Sequence, residues 1–150
     1  MDYINEVNYI DEHKEQLFDL YYSDYYTKTN EYLLREKETN FANEQRKQGI
    51  YYLGLAIDNF RNDQPNDNVC RYLAEDRAAM GTPLKELHAY FFEFHTAILI
   101  FLKDAIDAGD LKRTHEDLLE FSRDLTSYIA FFFYAIFEAY QNYINELYFN

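Results

Sequence analysis

The residues of this chain whose chemistry reaches beyond packing are few: four histidines, one cysteine and some scattered arginines. His88 and His95 lie seven apart, which puts them on one side of a helix, beside an apolar stripe. Two readings fit them: donors reaching into a cavity or toward an anion, or hydrogen-bonded histidines at a helix–helix interface. Arg71 and Arg77 are the only basic pair near the expected core. A guanidinium there would hold an anion, and the plainer reading is a solvated surface pair. Asp104, Asp107 and Asp110 read as a helix end facing water. Cys70 has no neighbouring context for a nucleophile and reads as a buried structural thiol.

Several reaction classes drop out. Di-iron bundles use Glu-x-x-His pairs because that spacing aims both ligands at the metals. The residues three before His13, His88, His95 and His115 are Ile10, Lys85, Phe92 and Lys112, none a carboxylate. No His-Glu-x-x-His, Cys-x-x-Cys, Walker loop or Gly-x-Ser-x-Gly occurs. The expectation is a protein that is not an enzyme and holds no metal. A net charge of −13 repels phosphate backbones and anionic bilayers, so nucleic acid and membrane surfaces are poor partners. A single cysteine excludes an intramolecular disulfide and fits a reducing compartment. The opening Met-Asp-Tyr-Ile-Asn-Glu is no secretory signal, and the apolar runs at 97–102 and 129–137 are too short to span a bilayer. A cytoplasmic protein without membrane insertion is expected.

The elements that must position these residues are helices. In 150 residues there are four glycines and two prolines, too few to punctuate many strands, and 48% of the chain is hydrophobic. An all-α single domain over 1–150 is predicted. Ile4, Val7, Ile10, Leu17, Phe18, Tyr21 and Tyr25 recur at helical spacing, and the polar stretch 23–30 predicts a bend. The next helix is expected over 30–60, solvated in its middle. Residues 61–68 form the clearest loop, after which Asp67 would cap a helix over 69–80. Gly81-Thr82-Pro83 reads as C-cap, N-cap and first helical residue. From there Leu84, Leu87, Phe91, Phe94, Ile98, Phe101 and Ala105 alternate spacings of three and four, and Gly109 closes the helix. Thr114 with Asp117 reads as a capping box for the last one.

That last helix contains Phe-Phe-Phe-Tyr-Ala-Ile-Phe at 131–137, apolar on every side for about two turns. At ~1.5 Å per residue, positions 115–147 measure roughly 50 Å, more than a domain of radius of gyration ~15 Å encloses. The surplus apolar face predicts a partner, with Phe101, Phe132, Phe133, Ile136, Tyr140 and Tyr143 at a homodimer interface.

Leu73-Ala74, then Gly81-Thr82-Pro83-Leu84-Lys85-Glu86-Leu87, then two long apolar helices across a short break, resemble the haem-less globin sensor domains. These include the N-terminal domains of RsbR-type stress regulators and the sensor domains of sporulation histidine kinases. The match is best to stand-alone sporulation-inhibitory proteins of spore-forming bacteria and strongest over 70–147. It implies a globin-like fold, a dimeric four-helix bundle made by the last two helices, and no haem. Residues 67–80 indeed contain no histidine for a proximal ligand. It also implies a hydrophobic tunnel for a fatty acid, with chloride at its polar end. Helical facing then nominates Tyr52, Leu55, Leu73, Phe91, Phe94, Ile98, Leu125 and Ile129 as lining. Arg71, Tyr72, His88 and His95 are the candidate donors to a carboxylate or halide.

With no kinase or other output module before Asn150, the expectation is a stand-alone sensor that inhibits sporulation. It would titrate the signal away from a sensor histidine kinase, or form mixed dimers with it. The alternative is a ligand-free interaction module acting by homo- or heterodimerisation. A metal carrier or helical enzyme would rest on His88 and His95 alone.

Overall fold

Scarcity of glycine and proline translates into long, rarely interrupted helices. A computed structural model describes residues 3–149, and among these are seven α-helices, one 3-10 turn and no strand. They are α1 (Ile4–Glu12), α2 (Lys14–Asp24), α3 (Asn30–Arg35), α4 (Phe41–Arg61), α5 (Asp67–Met80), α6 (Leu84–Ala108) and α7 (His115–Phe149). The 3-10 turn, Tyr26–Lys28, bridges α2 and α3. No helix of the described residues is long and apolar enough to cross a membrane.

The late boundaries follow from capping chemistry. Gly81 (φ 79°) and Gly109 (φ 80°) end α5 and α6 in the left-handed conformation that side chains disfavour. Thr82 N–H donates to Arg77 O (3.1 Å) and Asp110 N–H to Ala105 O (2.9 Å), closing the orphan carbonyls as Schellman turns. Thr114 N–H donates to Asp117 Oδ2 (2.9 Å) and Asp117 N–H to Thr114 Oγ1 (3.1 Å), a reciprocal capping box. Two details differ from expectation. α5 starts at Asp67 itself, so that carboxylate sits in the first turn, favoured by the helix dipole, and makes no side-chain cap. Pro83, not Thr82, is the N-cap of α6, because the buried Thr82 hydroxyl donates instead to Glu31 Oε1 (2.5 Å).

Two breaks interrupt stretches expected to be continuous. α1 and α2 part at His13, whose ring stacks on Tyr9 (4.1 Å) and whose Nδ1 donates to Tyr9 O (2.8 Å). The expected helix over 30–60 divides at residues 36–40, where Asn40 takes a positive φ of 62°. Those five polar residues bury nothing, so a helix there gains no packing to offset its ordering.

The main core gathers α1, α2, α4 and α6 around Leu17 and Leu102, both fully buried. A second cluster joins α5, α6 and α7 through Cys70, Ala74, Leu87 and Ile136. Cys70 is buried, its Sγ 3.7 Å from Phe132 O, and burial pushes its thiol up to about 12. That is an inert, packed sulfur. α2 crosses α4 so closely that a Cβ on Gly49 would lie 2.5 Å from Phe18 Cε1. α4 packs on α1, α2 and α5, leaving a space between itself and the α6–α7 pair. At ~1.5 Å per residue the 35 residues of α7 measure about 52 Å, and its last turns, from residue 145 to 149, are exposed all round.

Candidate functional site

Between α4 and the α6–α7 pair lies a cavity of about 420 Å³, to which every one of the seven helices contributes wall. Its lining runs from Leu87 to Ile98 on α6 and from Phe121 to Phe132 on α7. Eleven residue-to-residue steps on each helix correspond to about 17 Å of length. Spread over that length, 420 Å³ gives a mean cross-section of only about 25 Å². The space is long, narrow and walled mainly by Ile, Leu and Phe side chains and tyrosine rings.

Tyr52, Leu73, Phe91, Phe94, Ile98, Leu125 and Ile129 all line it. Leu55 does not. The α4 residues that do are Gln45, Gly49, Tyr52, Leu53, Ala56, Ile57 and Phe60, and Leu55 lies roughly a third of a turn away from the centre of that face.

The polar groups nominated from the sequence lie elsewhere. Arg71 and Tyr72 face solvent, the guanidinium stacked 5.1 Å over the Tyr72 ring. His88 is exposed, wedged between Phe92 and Phe133 at 4.6 Å from each ring. His95 is half-buried, with Nε2 3.3 Å from Thr126 Oγ1, and burial lowers its affinity for a proton. None of the four lines the cavity. Asp107 of the acidic trio is paired with Lys103 and His115, each at 2.7 Å, on the exposed end of α6. Among the described residues no three His, Cys, Asp or Glu side chains gather as metal ligands.

The cavity's own polar end is built around Arg77 and Glu31. Glu31 is buried, and its side chain accepts from Tyr26 Oη (2.5 Å) and Thr82 Oγ1 (2.5 Å), with Arg77 Nε 3.4 Å away. Arg77 Nη1 lies 2.5 Å from Asp76 Oδ2 and 3.4 Å from Gln48 Oε1. Burial opposes the guanidinium's charge, but Glu31 and Asp76 outweigh it and hold the group protonated. Tyr90 accepts from Glu31 N (3.4 Å) and donates to Glu86 (3.2 Å). Burial pushes the hydroxyls of Tyr21, Tyr22 and Tyr26 well above the ordinary tyrosine range, and the Glu31 charge adds to this at all three. At the far end Tyr3 donates to Asp124, a bond that pushes the phenol up to about 12. Thr82, which caps the Arg77–Glu31 cluster, accepts at its carbonyl from Tyr140 (2.8 Å), beyond the Phe132 end of the α7 wall, whereas Asp124 lies at the other end of that wall.

The sequence signal for Arg77 is its facing on α5. Cys70, Leu73, Ala74 and Arg77 follow helical spacing, so Arg77 continues the apolar stripe while Arg71 lies off it. Glu31 gave no such signal, because the partners that bury it, Arg77 and Thr82, are far away in sequence.

The residues nominated for an interface turn mostly inward. Ile136 is fully buried against its own chain and leaves no surface for a partner. Phe132 lines the cavity, Phe133 packs on His88 and Phe91, and Tyr140 reaches Thr82. Phe101 packs over Tyr9 (5.6 Å), and Tyr143 is half-buried. What α7 shows to solvent is Phe131, Tyr134 and Phe137, the first 79% exposed. α6 adds Phe92 and Ile100.

Comparison with known proteins returns no matching family model, no matching curated protein and no matching solved structure.

Proposed function

We propose that this chain is a ligand-sensing helical domain that takes one long-chain, mostly apolar molecule into the space between α4 and the α6–α7 pair. The observation that carries the reading is the cavity's shape: about 420 Å³ drawn out along two helices, with an apolar wall and its charged groups confined to Arg77, Glu31 and Asp124. The volume falls in the ~300–1,000 Å³ range of small-molecule sites. A chain-like ligand lying along this wall removes its apolar side chains from contact with water.

The resemblance to haem-less globin sensors gives this binding its use. In that reading the fold is globin-like, the ligand is of the fatty acid class, and the protein inhibits sporulation by lowering the free signal available to a sensor histidine kinase. The exposed row Phe131, Tyr134 and Phe137, flanked by Phe92 and Ile100, supports pairing of α6 and α7 with a second copy in a four-helix bundle. Chloride at the polar end, which the same resemblance implies, would have Arg77 as its cationic neighbour among the described lining residues.

Organic extraction of the purified protein followed by mass spectrometry is the test of binding. A reproducible long-chain compound is expected, and raised expression in a spore-forming host should lower spore yield. Extracts free of such a compound, with no uptake of added lipid, would leave the interaction-module reading in its place.

A further inference from the structure

Given that the cavity holds a fatty acid, as proposed above, the donors that the protein itself leaves unused fix which way that molecule lies. Arg77 lines the cavity, and part of its guanidinium is free. Its contacts with Glu31, Asp76, Gln48 and Met80 all run through Nε and Nη1. Nη2, with its two N–H groups, makes no hydrogen bond among the described residues. Two neutral side chains of the same wall also lack one there: the Tyr22 hydroxyl and the Gln45 amide, whose Oε1 is buried. The Tyr22 ring packs 4.7 Å from that of Tyr26, which donates to Glu31, and Gln45 sits three residues before the Gln48 that meets Arg77. All three groups therefore belong to the Arg77 end.

Unmet donors in an apolar interior are costly, and a group that only accepts is their natural partner. A carboxylate is such a group, with about four lone-pair sites and no proton to donate. Burial keeps the Tyr22 phenol protonated, so it donates. The Gln45 amide, nearly isosteric when turned over, presents its NH2 to an acceptor. At the opposite end of the wall stands Asp124, whose carboxylate repels a second one. Between the two ends lie Phe91, Phe94, Ile98 and Leu125, an apolar bed for the chain.

We infer that Arg77 Nη2, the Tyr22 hydroxyl and the Gln45 amide form the anchor for a fatty acid's carboxylate, with the tail running along α6 and α7 toward Asp124. Asp76, half-exposed and outside the wall, holds Arg77 Nη1 at 2.5 Å and competes with the ligand for the same positive charge. Titration calorimetry of the full chain with dodecanoate at about pH 8, where the carboxylate is ionised, tests the anchor. Tyr22→Phe and Gln45→Met keep most of the bulk of each side chain and remove its donor. Each should weaken dodecanoate binding about tenfold, or ~1.4 kcal/mol, the scale of one hydrogen bond to a charged group. Asp76→Asn should strengthen it several-fold, a gain that a misfolded protein does not give. Dodecanol, which carries no charge, should be unaffected by Asp76→Asn. Dodecanoate affinity unchanged in Tyr22→Phe or Gln45→Met, or not raised in Asp76→Asn, overturns the anchor and leaves the cavity reading standing. Absence of dodecanoate binding to the unaltered protein overturns both.

Discussion

At the scale of single residues, the cavity's polar end is held by a charge pair that only tertiary structure reveals. Arg77 and Glu31 are 12% and 1% exposed at their side chains and 3.4 Å apart, and without Arg77 the Glu31 carboxylate keeps two hydroxyl donors but no opposing charge. Arg77→Leu should cost about 3–5 kcal/mol in urea denaturation, because Glu31 would be left charged and buried. Adding Glu31→Gln to that variant should recover part of the loss. Arg71→Ala, at an exposed site, should stay within about 1 kcal/mol of the parent. Nothing in local sequence separates the two arginines except facing, and nothing local marks Glu31. A second consequence concerns Tyr21, Tyr22 and Tyr26, whose folded hydroxyls lose their protons far less readily than the ordinary value of 10.0. Groups raised on folding contribute stability that is complete below the unfolded value and lost as pH rises beyond it. Stability should therefore be flat toward pH 9 and fall above about pH 10, each such tyrosine adding up to ~1.4 kcal/mol per pH unit. Urea melts across that range, read beside tyrosine ionisation by ultraviolet absorbance, would expose a flat profile if the rings were solvated.

At the scale of elements, α4 carries two glycines with opposite roles. A side chain on Gly49 would collide with the buried Phe18 ring, whereas Gly54 has nothing within 4 Å of the Cβ position. Gly54→Ala should stabilise the helix by about 0.5–1 kcal/mol. Gly49→Ala should destabilise by about 1–3 kcal/mol, less the same helical gain. It should also weaken ligand uptake, because Phe18 and Gly49 share the cavity wall and the ring has to give way. Thermal melts of the pair decide the point: if both variants gain stability, α2 does not press on α4 as described. Elements with explicit punctuation were the legible ones. Gly81, Gly109 and the Thr114–Asp117 box write the ends of α5, α6 and the start of α7 into the sequence. The break at residues 36–40 has no proline or glycine, and it arises because no apolar residue there can anchor a helix.

At the scale of the molecule, the apolar run at 131–137 divides its faces. Phe132, Phe133 and Ile136 are taken up by the chain's own α5 and α6, leaving Phe131, Tyr134 and Phe137 exposed, the row on which the proposed dimer rests. Phe131→Asp with Phe137→Asp should therefore shift a dimer to monomer in sedimentation while leaving ligand uptake intact. Periodicity made the apolar faces of α6 and α7 legible, and with them five wall residues of the cavity, while helical facing on α4 and α5 added Tyr52 and Leu73. The polar end stayed hidden, because its bonds join α3 to α5 and to the residue before Pro83, across dozens of intervening positions. The claim on which the rest depends is that the cavity is a ligand site. Native mass spectrometry of the purified protein, incubated with dodecanoic acid, tests it beside an Ala56→Trp variant that fills the wall from α4. One dodecanoic acid per chain on the parent and none on a folded Ala56→Trp protein is the predicted result. Equal adducts on both, or a bare mass on both, would contradict it.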